Sequence, residues 1–147
     1  MNTIERDNAY VAHAYGRFPI SIVDGHGSIL VDENGKEYID FGSGIGVNIF
    51  GVNDEVWKMA VIDQIEKVQH TSNLYYTEPC TKLAELLCEK TGMKKVFFSN
   101  SGAEANECAI KAARRYAFQK YGDGHSTIIT LKNSFHGRTI TTLAATG

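Results

Sequence analysis

The sequence predicts an α/β fold, on two observations. A strand, a long helix and a second strand follow one another over residues 95–131, and an antiparallel hairpin precedes them over residues 28–41. A crossover of that length implies parallel strands joined by a right-handed connection. The tight turn Asp32-Glu33-Asn34-Gly35, whose Asn-Gly pair suits a positive φ, implies that the earlier pair is antiparallel. With 147 residues, 43% hydrophobic and 22% charged, the chain has the composition of a globular domain able to bury a core. Its formal charge of −2, with acidic and basic residues interspersed, leaves no polycationic face and argues for a small-molecule partner over nucleic acid.

Taken in order, residues 3–14 suit a short helix capped by Thr3, with few apolar residues to bury. Gly16 and Pro19 break it, Pro19 holding Phe18 extended. Residues 28–31 and 36–41 are the hairpin strands. Residues 42–46, Gly-Ser-Gly-Ile-Gly, fall short of a dinucleotide fingerprint, because Val47 stands where a glycine is needed and no helix opens inside the motif. They read equally well as a loop for close backbone approach or as a flexible turn. Asp54 caps a helix to about Val68, where Trp57, Val61, Ile65 and Val68 form an apolar stripe expected in the core. A second helix starts near Pro79, turns Leu83, Leu86 and Leu87 inward and stops at Gly92. A strand at 95–99, a helix at 102–121 closed by Gly122, a strand at 126–131 and a periodic stretch from near Arg138 complete the chain.

The chemistry gathers at residues 97–107. A strand that passes through Ser99-Asn100-Ser101-Gly102-Ala103 straight into a helix presents free backbone N–H groups and the positive end of the helix dipole, which suits a phosphate. Ser101 and Glu104 also spell a capping box, which alone explains both residues. Parallel strand–helix–strand geometry would bring this loop to the same sheet edge as Asn133-Ser134-Phe135-His136-Gly137-Arg138. There Phe135 offers a face for a planar ring, and Arg138 two parallel hydrogen bonds for a carboxylate. Singly, Phe135 reads as core, His136 as a solvated loop residue and Arg138 as an exposed charge. Jointly they suggest pyridoxal phosphate handling an amino acid. A nucleotide fits the geometry too, but no lysine follows the small residues as a Gly-x-x-x-x-Gly-Lys-[Ser/Thr] loop demands.

Other features exclude more than they assign. Cys80, Cys88 and Cys108 are odd in number and lack Cys-x-x-Cys spacing, so neither a disulfide framework nor a zinc site is expected, and His70 has no second ligand nearby. Glu5, Arg6 and Asp7 stand where a signal peptide needs apolar residues, and no window reaches membrane-spanning length. A cytoplasmic location without a membrane partner is the expectation.

Residues 98–107, Phe-Ser-Asn-Ser-Gly-Ala-Glu-Ala-Asn-Glu, followed by Ala109-Ile110-Lys111, resemble the phosphate-binding signature of the class III (ω-amino-acid) pyridoxal-phosphate-dependent aminotransferases. Phe135-His136-Gly137-Arg138-Thr139, followed by Ala145-Thr146-Gly147, is similar to their next block. Residues 15–19, Asp40-Phe41 with Ser43-Gly44-Ile45 and Val47-Asn48, and residues 70–76 most resemble the acetylornithine branch, so the likeness covers essentially the whole chain. It implies the N-terminal part of a fold type I pyridoxal-phosphate transferase, with residues 1–53 in its small domain and 54–147 opening the large cofactor-binding domain. It further implies a homodimer with active sites shared between subunits, and N-acetylornithine and 2-oxoglutarate as substrates in arginine biosynthesis.

By the same resemblance, Ser101, Gly102, Ala103, Phe135 and His136 bind the cofactor, Gly102 and Ala103 through their amides to the phosphate and Phe135 against the pyridine ring. Arg138 takes the α-carboxylate of each substrate, residues 43–46 and 72–76 lie near the active site or the dimer partner, and Tyr15 aligns with a substrate-side tyrosine. Gly51-Val52-Asn53-Asp54 departs from the family's Gly-His-x-His-Pro. The lysine that carries the cofactor covalently, and the aspartate that pairs with its ring nitrogen, fall beyond residue 147 in the family. None of the ten lysines here has a matching context, so no catalytic residue is assigned. The chain reads as truncated at Gly147 and is expected to be inactive alone. The alternatives are a relative acting on ornithine, succinylornithine or 4-aminobutyrate, or a non-catalytic domain binding a phosphate-bearing ligand.

Overall fold

In the computed structural model, which describes residues 1–147, the Asp32 carboxylate organises the first of two units of chain contact, Met1–Leu74. One carboxylate oxygen accepts the backbone N–H groups of Asn34 (2.8 Å) and Lys36 (3.0 Å), and the other accepts the Tyr38 hydroxyl at 2.9 Å. An aspartate that binds the backbone of its own turn in this way closes the chain on itself. The expected hairpin results: β2 (Ile29–Asp32) pairs antiparallel with β3 (Glu37–Ile39), Leu30 opposite Tyr38, and Gly35 alone of the Asn-Gly pair takes a positive φ, +78°.

A further strand, β1 (Ile22–His26), pairs antiparallel with β2 to give the order β1-β2-β3. Gly25, Gly27 and the interleaved polar residues hide it from a pattern search. Gly25 is there because a Cβ at that position would stand 2.5 Å from the Ile29 carbonyl oxygen. The β1–β2 turn is pinned by paired backbone bonds between Gly27 and Val52, each 2.8 Å, and by the Asn53 side-chain amide, which donates to the Gly25 carbonyl at 2.8 Å.

Helix α1 (Thr3–Tyr10) is capped by Asn2, one residue earlier than expected, because Asn2 and Glu5 exchange a reciprocal pair of hydrogen bonds that Thr3 has no partner to make. It ends at Tyr10, short of residue 14, where Val11 turns extended. Residues 42–46 are neither flexible coil nor a fingerprint loop. The single turn α2 (Ser43–Gly46) is wound left-handed, with φ of 43°, 61°, 63° and 77° along it, and the Asp40 carboxylate holds its start by accepting from the amides of Gly42 and Ser43. Ile45, a β-branched residue in that conformation, is 98% exposed. Helix α3 (Glu55–Ile65) is capped by Asp54, which accepts from the Trp57 amide at 2.8 Å.

The second unit, Tyr75–Gly147, holds α4 (Glu78–Thr91), α5 (Gly102–Tyr121) and α6 (Ile140–Ala145). Pro79 lies in the first turn of α4 and Gly92 ends it in the left-handed conformation, as their positions predict. Residues 95–99 and 126–131 correct the sequence reading in one respect: they join no ladder, with each other or with any strand of the chain. Alternating and β-branched residues declare a preference for extended backbone, whereas a strand also needs a neighbour, and consecutive strands are not always adjacent in a sheet.

The apolar stripes are corrected as well. No apolar side chain is buried; Trp57 and Ile65 are each 57% exposed, Val61, Val68, Leu83 and Leu86 are exposed too, and the residues that are buried are Ser21, Gly25, Asp32, Gly137 and Thr142. Periodicity tells which face of a helix is apolar, and a second layer must still come to cover it. No helix is long and apolar enough to cross a membrane.

The Lys36 amide, first among several donors that include the Tyr38 hydroxyl, holds the Asp32 carboxyl below the usual carboxylate range. Because the folded value is the lower one, this stabilisation is complete above the ordinary value near pH ~4 and is lost as pH falls through the folded value. Asp32→Asn is therefore expected to flatten the acid side of the stability profile of the hairpin unit, measured as the urea midpoint against pH.

Candidate functional site

Helix α5 starts where the chain can offer its amides. Ser101 is extended (φ −158°, ψ 162°), its hydroxyl accepts the Glu104 amide at 3.2 Å, and its carbonyl accepts the Ala105 amide at 3.0 Å. The N–H groups of Gly102 and Ala103 occupy the first turn, where the helix supplies no acceptor. Glu104 departs from the expected capping box. Its carboxylate does not reach the Ser101 amide but accepts both the backbone N–H (2.7 Å) and the side-chain amide (3.0 Å) of Asn100. Two donors on one residue win over the single donor at the cap, and the loop before the helix is tied down with it.

The second loop meets this helix start directly. Gly137 is buried at φ +132°, and a Cβ there would lie 2.6 Å from the Ala103 Cβ and 2.6 Å from the Thr142 hydroxyl. Only glycine allows this approach. The contact is reinforced by hydrogen bonds across some thirty residues of sequence: the Asn106 side-chain amide donates to the His136 carbonyl (2.8 Å), and the Thr139 hydroxyl donates to the Glu107 carboxylate (2.6 Å). From the other side the Thr146 hydroxyl accepts the His136 amide at 3.1 Å, and the Gly147 amide donates to the Ser134 carbonyl at 3.1 Å.

Beside these contacts lies an open cavity of about 420 Å³ lined by Ser101, Gly102, Ala103, Asn106, Phe135, His136, Gly137 and Arg138. Its volume is within the range of small-molecule sites. The five residues expected at the cofactor, and Arg138, are brought together. Phe135 is 67% exposed, and the Arg138 guanidinium lies over its ring, 5.5 Å from the centroid. The Ser134 hydroxyl donates its one proton to the Leu131 carbonyl at 2.5 Å, so it accepts from His136 Nε2 at 3.1 Å. That assigns the Nε2–H form of the imidazole, with Nδ1 left as an acceptor.

Tyr15 lies in the first unit, lining a cavity of about 580 Å³ with Asp7, His13, Arg17 and Phe18. Arg17 there pairs with Asp7 at 3.2 Å and stands 6.0 Å from the Tyr15 ring centroid. Although that cavity is the larger, the donor set suited to a phosphate, the first-turn amides of α5, belongs to the smaller one. Gly137 belongs to the loop the sequence marks, whereas Asn106 was not singled out as a cavity residue. The available signal was spacing: Asn106 follows Gly102 and Ala103 by four and three positions, on one helical face.

The family model for class III aminotransferases matches residues 10–147. The chain belongs to that family. An acetylornithine aminotransferase of Haemophilus ducreyi is 57% identical over 141 residues, 96% of this chain and 36% of the relative. Among solved structures, an N-acetylornithine aminotransferase of Stenotrophomonas maltophilia superposes with a TM-score of 0.81 at 36% identity, over 91% of this chain and 36% of that one. An ornithine aminotransferase of Toxoplasma gondii, whose active site holds pyridoxal phosphate at partial occupancy, gives a TM-score of 0.90 at 29% identity, over 97% and 34%. The chain thus spans about a third of the length of these class III aminotransferases and shares their fold type I architecture. Pyridoxal phosphate is the cofactor of the family, and the donor set fits it: first-turn amides for a phosphate, an aromatic face for a ring, and a glycine whose bare backbone lets the two loops meet around the space between them.

Gly137→Ala is expected to lower the stability of the second unit by about 1–3 kcal/mol, since it combines a disallowed φ with overpacking. Gly16→Ala, with nothing within 4 Å of the added carbon, is the control expected to change little. Urea unfolding of both variants measures the difference.

Proposed function

We propose that this chain is the part of an acetylornithine aminotransferase that grips the phosphate and ring face of pyridoxal phosphate and the carboxylate of the substrate. The observation that carries the reading is the convergence of Ser101–Ala103 with Phe135–Arg138 on one cavity. The amides of Gly102 and Ala103, at the positive end of α5, take the phosphate. Phe135 covers one face of the ring, and His136 closes the side of the cavity next to it. Arg138 binds the carboxylate of N-acetylornithine, then that of 2-oxoglutarate, a fork-shaped donor matched to a two-oxygen acceptor. Tyr15 serves the substrate side.

When bound, the cofactor supplies the carbonyl and electron-withdrawing ring that the amino-group transfer requires. What these residues contribute is orientation: phosphate, ring and carboxylate held at three separate points leave the substrate little freedom to turn. The groups that move protons are not among them, so residues 1–147 bind without turnover. The protein works in the cytoplasm in arginine biosynthesis, as a homodimer, with residues 1–53 in the small domain and 54–147 in the large one. Among the solved structures, 36% identity to an N-acetylornithine aminotransferase against 29% to an ornithine aminotransferase supports this branch of the family.

The test is a chimera in which this chain replaces the matching residues of the Haemophilus ducreyi relative. It is expected to form glutamate from 2-oxoglutarate with N-acetylornithine preferred as donor. Preference for ornithine, succinylornithine or 4-aminobutyrate moves the protein to another branch, and cofactor binding without any transfer leaves a non-catalytic domain. Arg138→Lys in the chimera is expected to raise KM for 2-oxoglutarate about tenfold or more, with a smaller effect on kcat. Residues 1–147 alone are expected to form no glutamate and, after borohydride reduction, to carry no cofactor fixed to lysine.

A further inference from the structure

We propose that Asn106 is a positioning residue that sets the distance between the phosphate cradle and the ring-covering face of the cofactor site. This rests on the reading of the 420 Å³ cavity as the pyridoxal phosphate site. The cradle is the first turn of α5, and the ring face is carried by a separate loop, so something must fix the span between them. Gly137 fixes how near the loop comes, through its contact with Ala103. Contact alone leaves the loop free to slide along the helix.

The Asn106 side-chain amide removes that freedom. It donates to the His136 carbonyl at 2.8 Å, midway between Phe135 and Arg138 in the chain, from a position one helical turn beyond Gly102 and Ala103. The other bonds described for residues 134–137 run to Leu131, to Thr146 and Gly147 just past α6, or within the loop itself, and not to the cradle. The Thr139 hydroxyl also returns to α5, at Glu107. It attaches the far side of Arg138 and leaves Phe135 and His136 to Asn106. Asparagine suits the task because its short side chain has few rotamers to lose and carries a donor that needs no charge beside an anion site.

Asn106→Leu keeps the branched shape and removes the donor, Asn106→Ala removes both, and neither adds a charge near the phosphate. The binding of pyridoxal phosphate is measured by equilibrium dialysis in the chimera, with inorganic phosphate as a competitor that needs the cradle and not the ring face. Loss of one half-buried hydrogen bond at a site that must hold its span is expected to weaken pyridoxal phosphate about tenfold in both variants. The inhibition constant of phosphate and the urea midpoint are expected to stay within about twofold and within error of the parent, respectively, a split that a merely structural role would not produce. Should the alanine variant fail to fold, the leucine variant decides. Pyridoxal phosphate affinity within about twofold of the parent, or an equal loss for phosphate, overturns the proposal. A parent that retains no pyridoxal phosphate overturns the cofactor reading and this inference with it, which separates the two failures.

Discussion

The second unit depends on one steric allowance, the absence of a side chain at Gly137. Because nothing projects there, the backbone of the 134–139 loop lies against Ala103 at the start of α5 and against Thr142 in α6. Every polar tie in the region follows from that proximity. Asn106 can reach the His136 carbonyl, Glu107 can accept from Thr139, and Thr142 becomes the one completely buried side chain of the molecule. Thr142 fits that place because its hydroxyl accepts the Thr139 amide at 3.0 Å and lies 2.7 Å from the Thr139 hydroxyl, whose own proton goes to Glu107. A buried hydroxyl with its partners supplied costs little, where an unpartnered one would be expensive.

What holds the described residues together is accordingly polar, in turns and in a few ties across some thirty residues of sequence. Asp32 gathers a turn and a tyrosine, Asp40 ties down a left-handed turn, and Glu104 gathers Asn100. The apolar faces of α3 and α4 stay open to solvent in a chain that spans about a third of its relatives' length. Within each unit, hydrogen-bonded hubs fix the local shape.

The parts of the fold legible in the sequence are those with a local cause. Asp54, Pro79, Gly92 and Ser101 mark helix ends because caps act within a turn, and Asn34-Gly35 marks the hairpin for the same reason. Strand β1 escaped because its evidence is distant: Val52 and Asn53 hold a segment that two glycines make featureless. Residues 95–99 and 126–131 were over-read, since a pattern for extended chain says nothing of a partner. The candidate site was legible as two motifs, Ser101–Ala103 and Phe135–Arg138, whose meeting was inferred from a shared sheet edge. In the structure they meet without a ladder between those segments, through Gly137, and Asn106 went unnoticed because a hydrogen bond over thirty residues leaves no trace in local pattern.

The orientation of His136 bears on how firmly the loop keeps its shape. Its Nε2–H is directed at Ser134, and the free lone pair sits on Nδ1. The ring spends its donor on the loop that carries it and commits no acceptor to that anchor. A hydrogen-bond donor on a bound ligand can therefore be met at Nδ1 without giving up the contact that holds the imidazole, so anchoring and recognition fall to opposite edges of one ring.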